Sequence, residues 1–288
     1  MLEILENQSL AKYTTFKIGG NAKYLALAKN HAQIIEAINF AKKENLPYVI
    51  LGNGSNVLVS DDGFNGIVIK LSKMNEIFLD GNELTCQSGV LLSRIGNFCL
   101  ENEKTGFERI CAIPASVGGA VFMNAGAYGA EISDILLSST YMDKNGNVIV
   151  IQKDEHNFAY RHSFYLKNPE YIILEAVFLV EDAEKEDIKA IMDDCKQKRM
   201  EKQPLEYPSA GSTFKRPEGY FAGKLIEDAG LKGYRVGGAC VSLKHAGFVI
   251  NDGNATCKDV ENLIKDVQEQ VFLKFNVKLE CEIKKIGD

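Results

Sequence analysis

The sequence lacks an apolar run of about 18 residues, the length that a membrane-spanning helix requires. Its first residues also lack a basic stretch followed by an apolar one, so we expect no secretory signal peptide. Acidic residues outnumber basic ones by 39 to 33, which gives a net charge of -6. Proteins that bind nucleic acids generally neutralise phosphates with clustered Lys and Arg, so we expect no nucleic-acid partner.

The seven cysteines are odd in number, widely spaced, and form no CxxC pair. This spacing predicts neither a disulfide framework nor a zinc site, and we expect no metal. Most of them lie in apolar runs, as small buried side chains do. The cysteine pattern therefore favours a cytoplasmic protein.

A chain of 288 residues, 45% of them hydrophobic, predicts a globular protein of about two domains. The mixture of helical and strand patterns predicts the α+β class. Gln203-Pro204 and Tyr207-Pro208 follow a charged helical segment, so we expect a domain boundary near 202–208. The N-terminal part would be the larger one.

Apolar periodicity near 3.6 residues predicts helices over 31–45, 184–202, 225–229 and 258–274. Apolar runs bounded by turn residues predict strands at Tyr48–Leu51, Gly66–Leu71, Asn147–Gln152, Tyr171–Val180 and Phe248–Asn251. The segment Val277–Ile283 alternates strictly between apolar and charged residues. Such alternation predicts a half-buried strand that carries Glu280 and Glu282 on one face.

A first glycine-rich loop, LGNGSNV at 51–57, follows an apolar strand. Its glycines allow close approach to an anion. It is no Rossmann fingerprint, because Val57 stands where the third glycine would be and strands follow instead of a helix. Taken alone, the loop is equally typical of a phosphate-binding site and of a hairpin turn.

Two further loops invite a functional interpretation. The small residues of 113–129 suit either a large planar or pyrophosphate-bearing ligand, or a tightly packed helix and turn. The segment 210–217, AGSTFKRP, places a hydroxyl before two cations. It could donate a proton and bind phosphate. On this segment alone, an ordinary turn with solvated charges is the better interpretation.

Together, these loops resemble those of the UDP-N-acetylenolpyruvoylglucosamine reductase family, in the same order. The resemblance rests on TTFKIGG (14–20), LGNGSNVLVSDDG (51–63), IPASVGGAVFMNAGAYG (113–129), YRHSF (160–164), RMEKQPLEYPSAGSTFKRP (199–217), AGKLIEDAGLKGYRVGGA (222–239) and Leu279–Gly287. It covers nearly the whole chain. The short stretch between Asn168 and Tyr207 resembles the shorter subtype, which lacks a tyrosine loop.

The resemblance implies an α+β fold of the vanillyl-alcohol oxidase type, with two α/β subdomains that bind FAD and a smaller C-terminal substrate domain. It places the FAD region at 1–202 (subdomains about 1–71 and 72–202), the substrate domain at 203–275, and a C-terminal strand returning to the active site at 276–288. It implies NADPH as hydride donor and UDP-N-acetylmuramate as product, made for peptidoglycan from a UDP-linked enolpyruvyl sugar. No histidine lies in the FAD loops, so we expect FAD to be bound non-covalently.

The resemblance also implies roles for individual residues. Ser212 would protonate the substrate, Arg161 would lie beside its carboxylate, and Glu282 would be the catalytic glutamate, with Glu280 as its competitor. The expected FAD residues are Gly52, Asn53, Gly54, Ser55, Asn56, Val57, Ile113, Pro114, Ser116, Gly118, Gly119, Asn124, Gly126, Ala127 and Tyr128. The expected substrate-binding residues are Lys202, Lys215, Arg216, Lys232 and His245.

Two alternatives remain open from the sequence. One is another FAD-dependent oxidoreductase of the same fold that acts on a sugar or an alcohol. The other is a non-catalytic protein that binds nucleotide sugars and needs no flavin. The oligomeric state has no signal in the sequence.

Overall fold

The computed structural model describes all 288 residues, which form two compact units. Unit 1 comprises Met1–Ile4, Ala26–Asn53 and Val68–Arg199, and unit 2 comprises Leu5–Leu25, Gly54–Ile67 and Met200–Asp288. These units differ from the predicted ranges 1–202, 203–275 and 276–288. The main difference is that the early segments Leu5–Leu25 and Gly54–Ile67 belong to the same unit as the C-terminal part. The apolar side chains of Phe16, Ile18 and Leu58 lie in the core of unit 2, which explains that membership.

The helices confirm the periodicity of the sequence. They are α1 His31–Lys43, α2 Leu92–Glu101, α3 Val117–Met123, α4 Ile132–Ile135, α5 Phe164–Lys167, α6 Lys185–Lys202, α7 Ala222–Asp228 and α8 Cys257–Phe275. The four predicted helices correspond to α1, α6, α7 and α8. None of the helices is long and apolar enough to cross a membrane.

The strands confirm five of the six strand predictions. They are β1 Glu3–Ser9, β2 Asn21–Leu27, β3 Tyr48–Leu51, β4 Val57–Val59, β5 Phe64–Lys70, β6 Ile77–Asp80, β7 Glu83–Gln87, β8 Lys104–Thr105, β9 Gly126–Ala127, β10 Ala130–Glu131, β11 Leu136–Met142, β12 Val148–Gln152, β13 Ile172–Leu179, β14 Glu181–Asp182, β15 Ser209–Ser212, β16 Arg235–Val236, β17 Ala239–Val241, β18 Phe248–Asn251 and β19 Lys284–Ile286. Strands β1, β2, β5 and β3 form one sheet in the order β1-β2-β5-β3.

A five-stranded antiparallel sheet, in the order β12-β11-β13-β7-β6, carries the core of unit 1. Helices α2 and α3 contribute buried residues to this core. The rings of Phe107 and Phe178 pack edge to face there, with centroids 5.1 Å apart. The sheet and the two helices therefore share one close-packed core.

A four-stranded sheet, in the order β15-β18-β17-β16, packs with α7 and α8 in unit 2. Thr256 and Asp259 form a capping box at the N-terminus of α8. The carboxylate of Asp61 also accepts hydrogen bonds from the backbone N–H groups of Cys257 and Lys258, at 2.7 and 3.1 Å. These bonds satisfy donors that have no partner inside the helix, and they attach the segment 54–67 to the C-terminal core.

The predicted strand Val277–Ile283 is wrong, although its apolar residues are correctly predicted to face the core. Val277, Leu279, Cys281 and Ile283 all pack on the core of unit 2. The backbone pairs only locally, through a bridge between Phe214 and Cys281, and the terminal strand is β19, parallel to β4. Alternation reports which side chains are buried, whereas a strand also needs a neighbouring backbone along its whole length.

Candidate active site

Two of the glycine-rich loops meet in unit 1, as the resemblance implies. The side-chain amide of Asn53 donates a hydrogen bond to the carbonyl of Pro114, at 2.7 Å. Gly52 lies against Ser116 so closely that a Cβ atom on Gly52 would be 2.4 Å from the Ser116 hydroxyl oxygen. We call Gly52, Asn53, Pro114 and Ser116 the loop cradle.

The loop cradle contains a polar atom that a ligand could satisfy. The hydroxyl oxygen of Ser116 is buried and has no hydrogen-bond partner in the protein. A buried polar group without a partner costs about 1–3 kcal/mol. Beside it, Gly52 offers backbone without a side chain, which allows close approach. These two features fit a ligand with acceptor atoms, such as a pyrophosphate.

A buried lysine supports the loop cradle, and the sequence analysis missed it. Lys70, the last residue of β5, is 9% exposed, and its ammonium group donates to the Gly52 carbonyl at 2.7 Å. Desolvation lowers the pKa of Lys70 to about 8. The signal available in the sequence was a cation that ends the apolar run GIVIK.

The other residues of the first loop have different surroundings in unit 2. The carbonyl of Gly54 accepts a hydrogen bond from the Thr15 N–H at 3.1 Å. Asn56 donates from its amide to the Glu282 carbonyl at 3.2 Å, and Val57 begins β4. Ser55 lies between them. The side chain of Asn56 thus holds the C-terminal segment, a contact that the expectation of an FAD residue did not include.

The second loop forms the short helix α3 and the hairpin that follows it. The N–H groups of Val117 and Gly118 donate to the carbonyls of Val90 and Ser88, both at 2.8 Å. Those two donors are therefore already used by the protein. Gly119 is more open, since a Cβ atom there would meet only the Ser116 hydroxyl oxygen, at 3.8 Å. Ile113 precedes Pro114, so it also lies beside the loop cradle.

The hairpin of β9 and β10 contains the last predicted cofactor residues. Gly126 and Ala127 pair with Glu131 and Ala130. Tyr128 and Gly129 both have positive φ angles, 54° and 82°, which is the pattern of a type I′ turn. A tight turn accounts for the small residues here, whether or not a ligand lies beside them.

In unit 2, Ser212 and Glu282 are brought to neighbouring positions on paired backbones. Ser212 is the exposed last residue of β15. The next residue, Thr213, is fully buried, and its carbonyl accepts a hydrogen bond from the Glu282 N–H at 2.8 Å. Residues separated by seventy positions in the sequence therefore meet because β15 continues into the bridge between Phe214 and Cys281.

The two candidate catalytic glutamates, Glu282 and Glu280, differ in how far they are buried. Glu282 is only 8% exposed, whereas the side chain of Glu280 is 70% exposed and forms an ion pair with Lys215. A carboxyl group that is kept from water requires a reason, because burial of a charged group is costly. The environment therefore favours Glu282 over Glu280 as the functional residue.

Arg161 lies in a tight turn of unit 1 formed by residues 159–162. The N–H groups of Ala159 and His162 each donate to the carbonyl of the other residue, at 3.2 and 3.0 Å. Arg161 has a φ of 51°, which is uncommon for a residue with a side chain. Its guanidinium lies 5.0 Å from the centroid of the Tyr160 ring. Unusual backbone geometry of this kind is often found at functional sites. We call residues 159–162 the Arg161 turn.

A buried hydrogen-bond network connects both sides of the Arg161 turn to β11. Ser139 contacts the His156 Nε2 at 2.7 Å and the Tyr165 hydroxyl at 2.6 Å. His156 Nδ1 lies 2.9 Å from the Gln152 carbonyl, so it is the protonated nitrogen and Nε2 accepts from Ser139. Burial lowers the pKa of His156 and raises that of Tyr165, so both side chains are kept neutral.

The predicted substrate-binding residues all lie in unit 2, and the structure gives most of them partners within the chain. Lys215 pairs with Glu280, Lys232 with Glu227 at 2.8 Å, and Arg216 stacks on Phe221 at 4.8 Å. His245 Nδ1 accepts from the Gly247 N–H at 3.1 Å, and burial lowers its pKa. Lys202 is the exposed last residue of α6.

Comparison with known families first defines the class of protein. Residues 22–152 match the family described as an FAD binding domain, and residues 203–286 match the one described as the C-terminal domain of UDP-N-acetylenolpyruvoylglucosamine reductase. The chain is therefore an FAD-binding protein with a distinct C-terminal domain. The predicted α+β fold class, with FAD as cofactor, is confirmed.

Relatives extend the match to the whole chain. It is 50% identical to UDP-N-acetylenolpyruvoylglucosamine reductase of Clostridium novyi over 99% of this chain and 93% of that protein. For the enzyme of Caldanaerobacter subterraneus the identity is 48%, over 98% and 93%. The crystal structure of the Thermus caldophilus enzyme superposes with a TM-score of 0.85 and 34% identity, covering 100% of this chain and 99% of that one. The chain belongs to the UDP-N-acetylenolpyruvoylglucosamine reductase family.

Proposed function

We propose that this protein reduces UDP-N-acetylglucosamine enolpyruvate to UDP-N-acetylmuramate, a precursor of peptidoglycan, with NADPH as the reductant. The observation that carries the proposal is the full-length relationship to reductases of this name, at 50% identity for the Clostridium novyi protein. The buried Glu282 next to the backbone of Thr213 supports it locally. The UDP-linked sugar and NADPH are then the two small-molecule partners.

The residues of the loop cradle would hold FAD. Ser116 offers a hydroxyl, Gly52 and Gly119 allow close approach, and Lys70 supplies a positive charge behind Gly52. The chemistry that bound FAD supplies is hydride transfer, from NADPH to the flavin and then to the methylene carbon of the enolpyruvyl group. The nicotinamide loses the hydride, and one proton from the protein completes the addition across the double bond.

Ser212 is proposed to give that proton to the carbon next to the carboxylate. Its exposed position at the end of β15 leaves the hydroxyl accessible to a substrate. Hydride addition pushes negative charge onto the substrate carboxylate. The guanidinium of Arg161 is permanently charged and can bind a carboxylate through two hydrogen bonds, which stabilises that charge.

Glu282 is proposed to act on the same charge as a carboxylic acid that donates a hydrogen bond. Asn56 and Thr213 fix the backbone of Glu282 through its carbonyl and N–H groups, at 3.2 and 2.8 Å. A preorganised donor costs no reorganisation when the charge develops. The backbone from which the buried side chain of Glu282 extends is thus held on both sides.

The test is an anaerobic stopped-flow experiment on the purified holoenzyme. NADPH should bleach the flavin absorbance, and the UDP-linked enolpyruvyl sugar should then restore it. Restoration by oxygen alone would contradict the substrate assignment and favour another FAD-dependent oxidoreductase. A colourless protein that fails to bind added FAD would contradict the flavoenzyme assignment and favour a non-catalytic binding protein.

Variants separate the two half-reactions. Ser212→Ala should leave reduction by NADPH intact and slow the second half-reaction by about 10²–10⁴-fold, the usual contribution of a positioned acid. Glu282→Gln should slow the same half-reaction, whereas Glu280→Gln should not, because Glu280 forms a surface ion pair with Lys215. An equal loss in both half-reactions would show that Ser212 is structural or lies in the NADPH site and is not the proton donor. A slowed second half-reaction in Glu280→Gln with a normal one in Glu282→Gln would assign the catalytic role to Glu280.

The seven free cysteines are consistent with a proposed location in the cytoplasm, where thiols stay reduced. Six of them are buried, and burial raises the pKa of Cys99 to about 12 and of Cys111 to about 11. Such thiols are poor nucleophiles near neutral pH. We also propose that FAD is bound non-covalently, so that denaturation should release it from the chain.

A further inference from the structure

Helix α3 has a different polar attachment at each end. At its N-terminal end lies Ser116 of the loop cradle, against Gly52. At its C-terminal end lies Asn124, which has a φ of 45° and is completely buried. The helix is only seven residues long, Val117–Met123, and four of these residues are buried in the core of unit 1. The helix is therefore short and firmly packed, and it can hold one group of residues at its N-terminal end and another at its C-terminal end.

The side chain of Asn124 uses its hydrogen-bonding capacity within the protein. Its amide nitrogen donates to the Ala159 carbonyl at 3.2 Å and to Glu131 Oε1 at 3.0 Å. Its amide oxygen accepts from the Ser133 N–H at 2.9 Å. An asparagine amide has two donors and one acceptor oxygen, so these contacts engage both ends of the group. The side chain is thus committed to protein contacts.

The hydrogen bond from Asn124 to the Ala159 carbonyl connects α3 to the Arg161 turn, since Ala159 is the first residue of that turn. A second bond attaches the other side of the turn to the same helix end: the hydroxyl of Ser163 donates to the Phe122 carbonyl at 2.7 Å. Ser163 is fully buried. Ala159, the first residue of the Arg161 turn, and Ser163, the residue that follows the turn, are therefore both bound to the C-terminal end of α3.

We propose that Asn124 is a positioning residue for Arg161, and that Ser163 assists it by attaching the Arg161 turn to the C-terminal end of α3. This replaces the expectation that Asn124 binds FAD. The inference rests on the proposed function, in which Arg161 binds the substrate carboxylate. It adds that the same short helix supports the loop cradle at one end and the carboxylate-binding arginine at the other.

Asn124 has a left-handed backbone conformation, so glycine can replace it without backbone strain. Asn124→Gly keeps a residue that readily adopts a positive φ angle, and it removes the buried amide together with its three hydrogen bonds. Ser163→Ala removes the second attachment without disturbing the backbone of α3. Asn45→Gly is the matched control, since Asn45 also has a positive φ of 52° but lies exposed after α1.

The first measurement is amide hydrogen exchange of the holoenzyme. Both Asn124→Gly and Ser163→Ala should accelerate exchange at the N–H groups of Ala159 and His162, which hydrogen-bond across the turn. Asn45→Gly should leave them protected. Unchanged exchange in both variants would overturn the inference, because the turn would then be held by something other than the end of α3.

The second measurement compares three constants. The KM for the UDP-linked enolpyruvyl sugar should rise about ten- to hundredfold in each variant, as misplacement by about 1 Å can cost about 10²-fold. The KM for NADPH and the dissociation constant of FAD should stay within about twofold of the wild type. Weaker FAD binding with an unchanged KM for the sugar would overturn the inference and restore Asn124 as a cofactor residue.

A double-mutant cycle shows whether Asn124 acts through Arg161. In an Arg161→Gln background, Asn124→Gly should raise the KM for the sugar no further, because the group that it positions has been removed. Independent, multiplying effects would overturn the inference. Arg161→Gln alone could leave that KM unchanged while Asn124→Gly accelerates hydrogen exchange at the turn. This result would show that the turn is attached to α3 but that Arg161 does not bind the substrate carboxylate.

Discussion

Burial of the charged Lys70 side chain lowers the stability of the fold, although its ammonium group supports the loop cradle. Replacing Lys70 should show both effects. Its ammonium group is buried and donates to the Gly52 carbonyl at 2.7 Å. The substitution Lys70→Met keeps the length and apolar character of the side chain but removes the charge and the donor. We expect the affinity for FAD to fall, while the free energy of unfolding stays the same or rises.

The magnitude follows from the pKa of Lys70, which burial lowers from 10.5 to about 8. At about 1.4 kcal/mol for each tenfold change, burying the ammonium costs about 3 kcal/mol. Removing the donor leaves the Gly52 carbonyl without this bond, at a cost of about 1–3 kcal/mol. Near neutral pH, Lys70→Met should therefore be as stable as the wild type or up to about 2 kcal/mol more stable.

The pH dependence gives the sharper test. Because the folded-state pKa is depressed, the unfolded chain binds more protons between about pH 8 and 10.5, and the free energy of unfolding rises with pH in that range. From about pH 7 to about pH 9.5, the wild type should gain about 2 kcal/mol relative to Lys70→Met. Urea unfolding of both proteins at the two pH values measures this difference.

The control is Lys73→Met, which removes an ion pair between Lys73 and Glu3 at the surface. It should change the free energy of unfolding by about 1 kcal/mol or less, without the pH-dependent difference. In FAD titrations of the apoproteins, Lys70→Met should bind the cofactor about tenfold more weakly or worse. Parallel pH profiles for wild type and Lys70→Met, or unchanged FAD affinity, would refute the reasoning.

Two further perturbations test the loop cradle and the buried network. Gly52→Ala would place a Cβ atom 2.4 Å from the Ser116 hydroxyl oxygen, so FAD affinity should fall at least about tenfold, and unchanged affinity would contradict the cradle. The lowered pKa of His156 means that its contribution to stability is complete above the unfolded pKa of about 6.5 and is lost as the pH falls through the folded one. Wild type should therefore lose more stability than His156→Gln in urea unfolding between about pH 7 and about pH 5, and equal losses would show that His156 is not buried as a neutral group.

Local patterns in the sequence were sufficient for most of the secondary structure. The periodicity of 31–45 and 258–274 predicted α1 and α8, because a helix must bury one stripe of side chains. The exception is instructive: Val277–Ile283 alternates as a strand does, yet pairs with a neighbour only around Cys281. Burial leaves a pattern within a segment, whereas pairing depends on a partner elsewhere in the chain.

The loop motifs, in their order along the chain, resemble those of the family to which the chain belongs. They did not distinguish which residues of those loops face a ligand. Asn124 and Asn56 stand in predicted cofactor motifs, yet their side chains hold the Arg161 turn and the Glu282 backbone.

The sequence by itself determined the fold class, the family and the set of loops from which the functional residues come. Only the tertiary structure decided that Glu282 is buried while Glu280 is exposed, and that Lys70 lies behind Gly52. The reason is physical: propensity and periodicity are properties of a few neighbouring residues. Burial of a charged group and the hydrogen bonds that hold it depend on segments that are far apart along the chain and meet only when it folds.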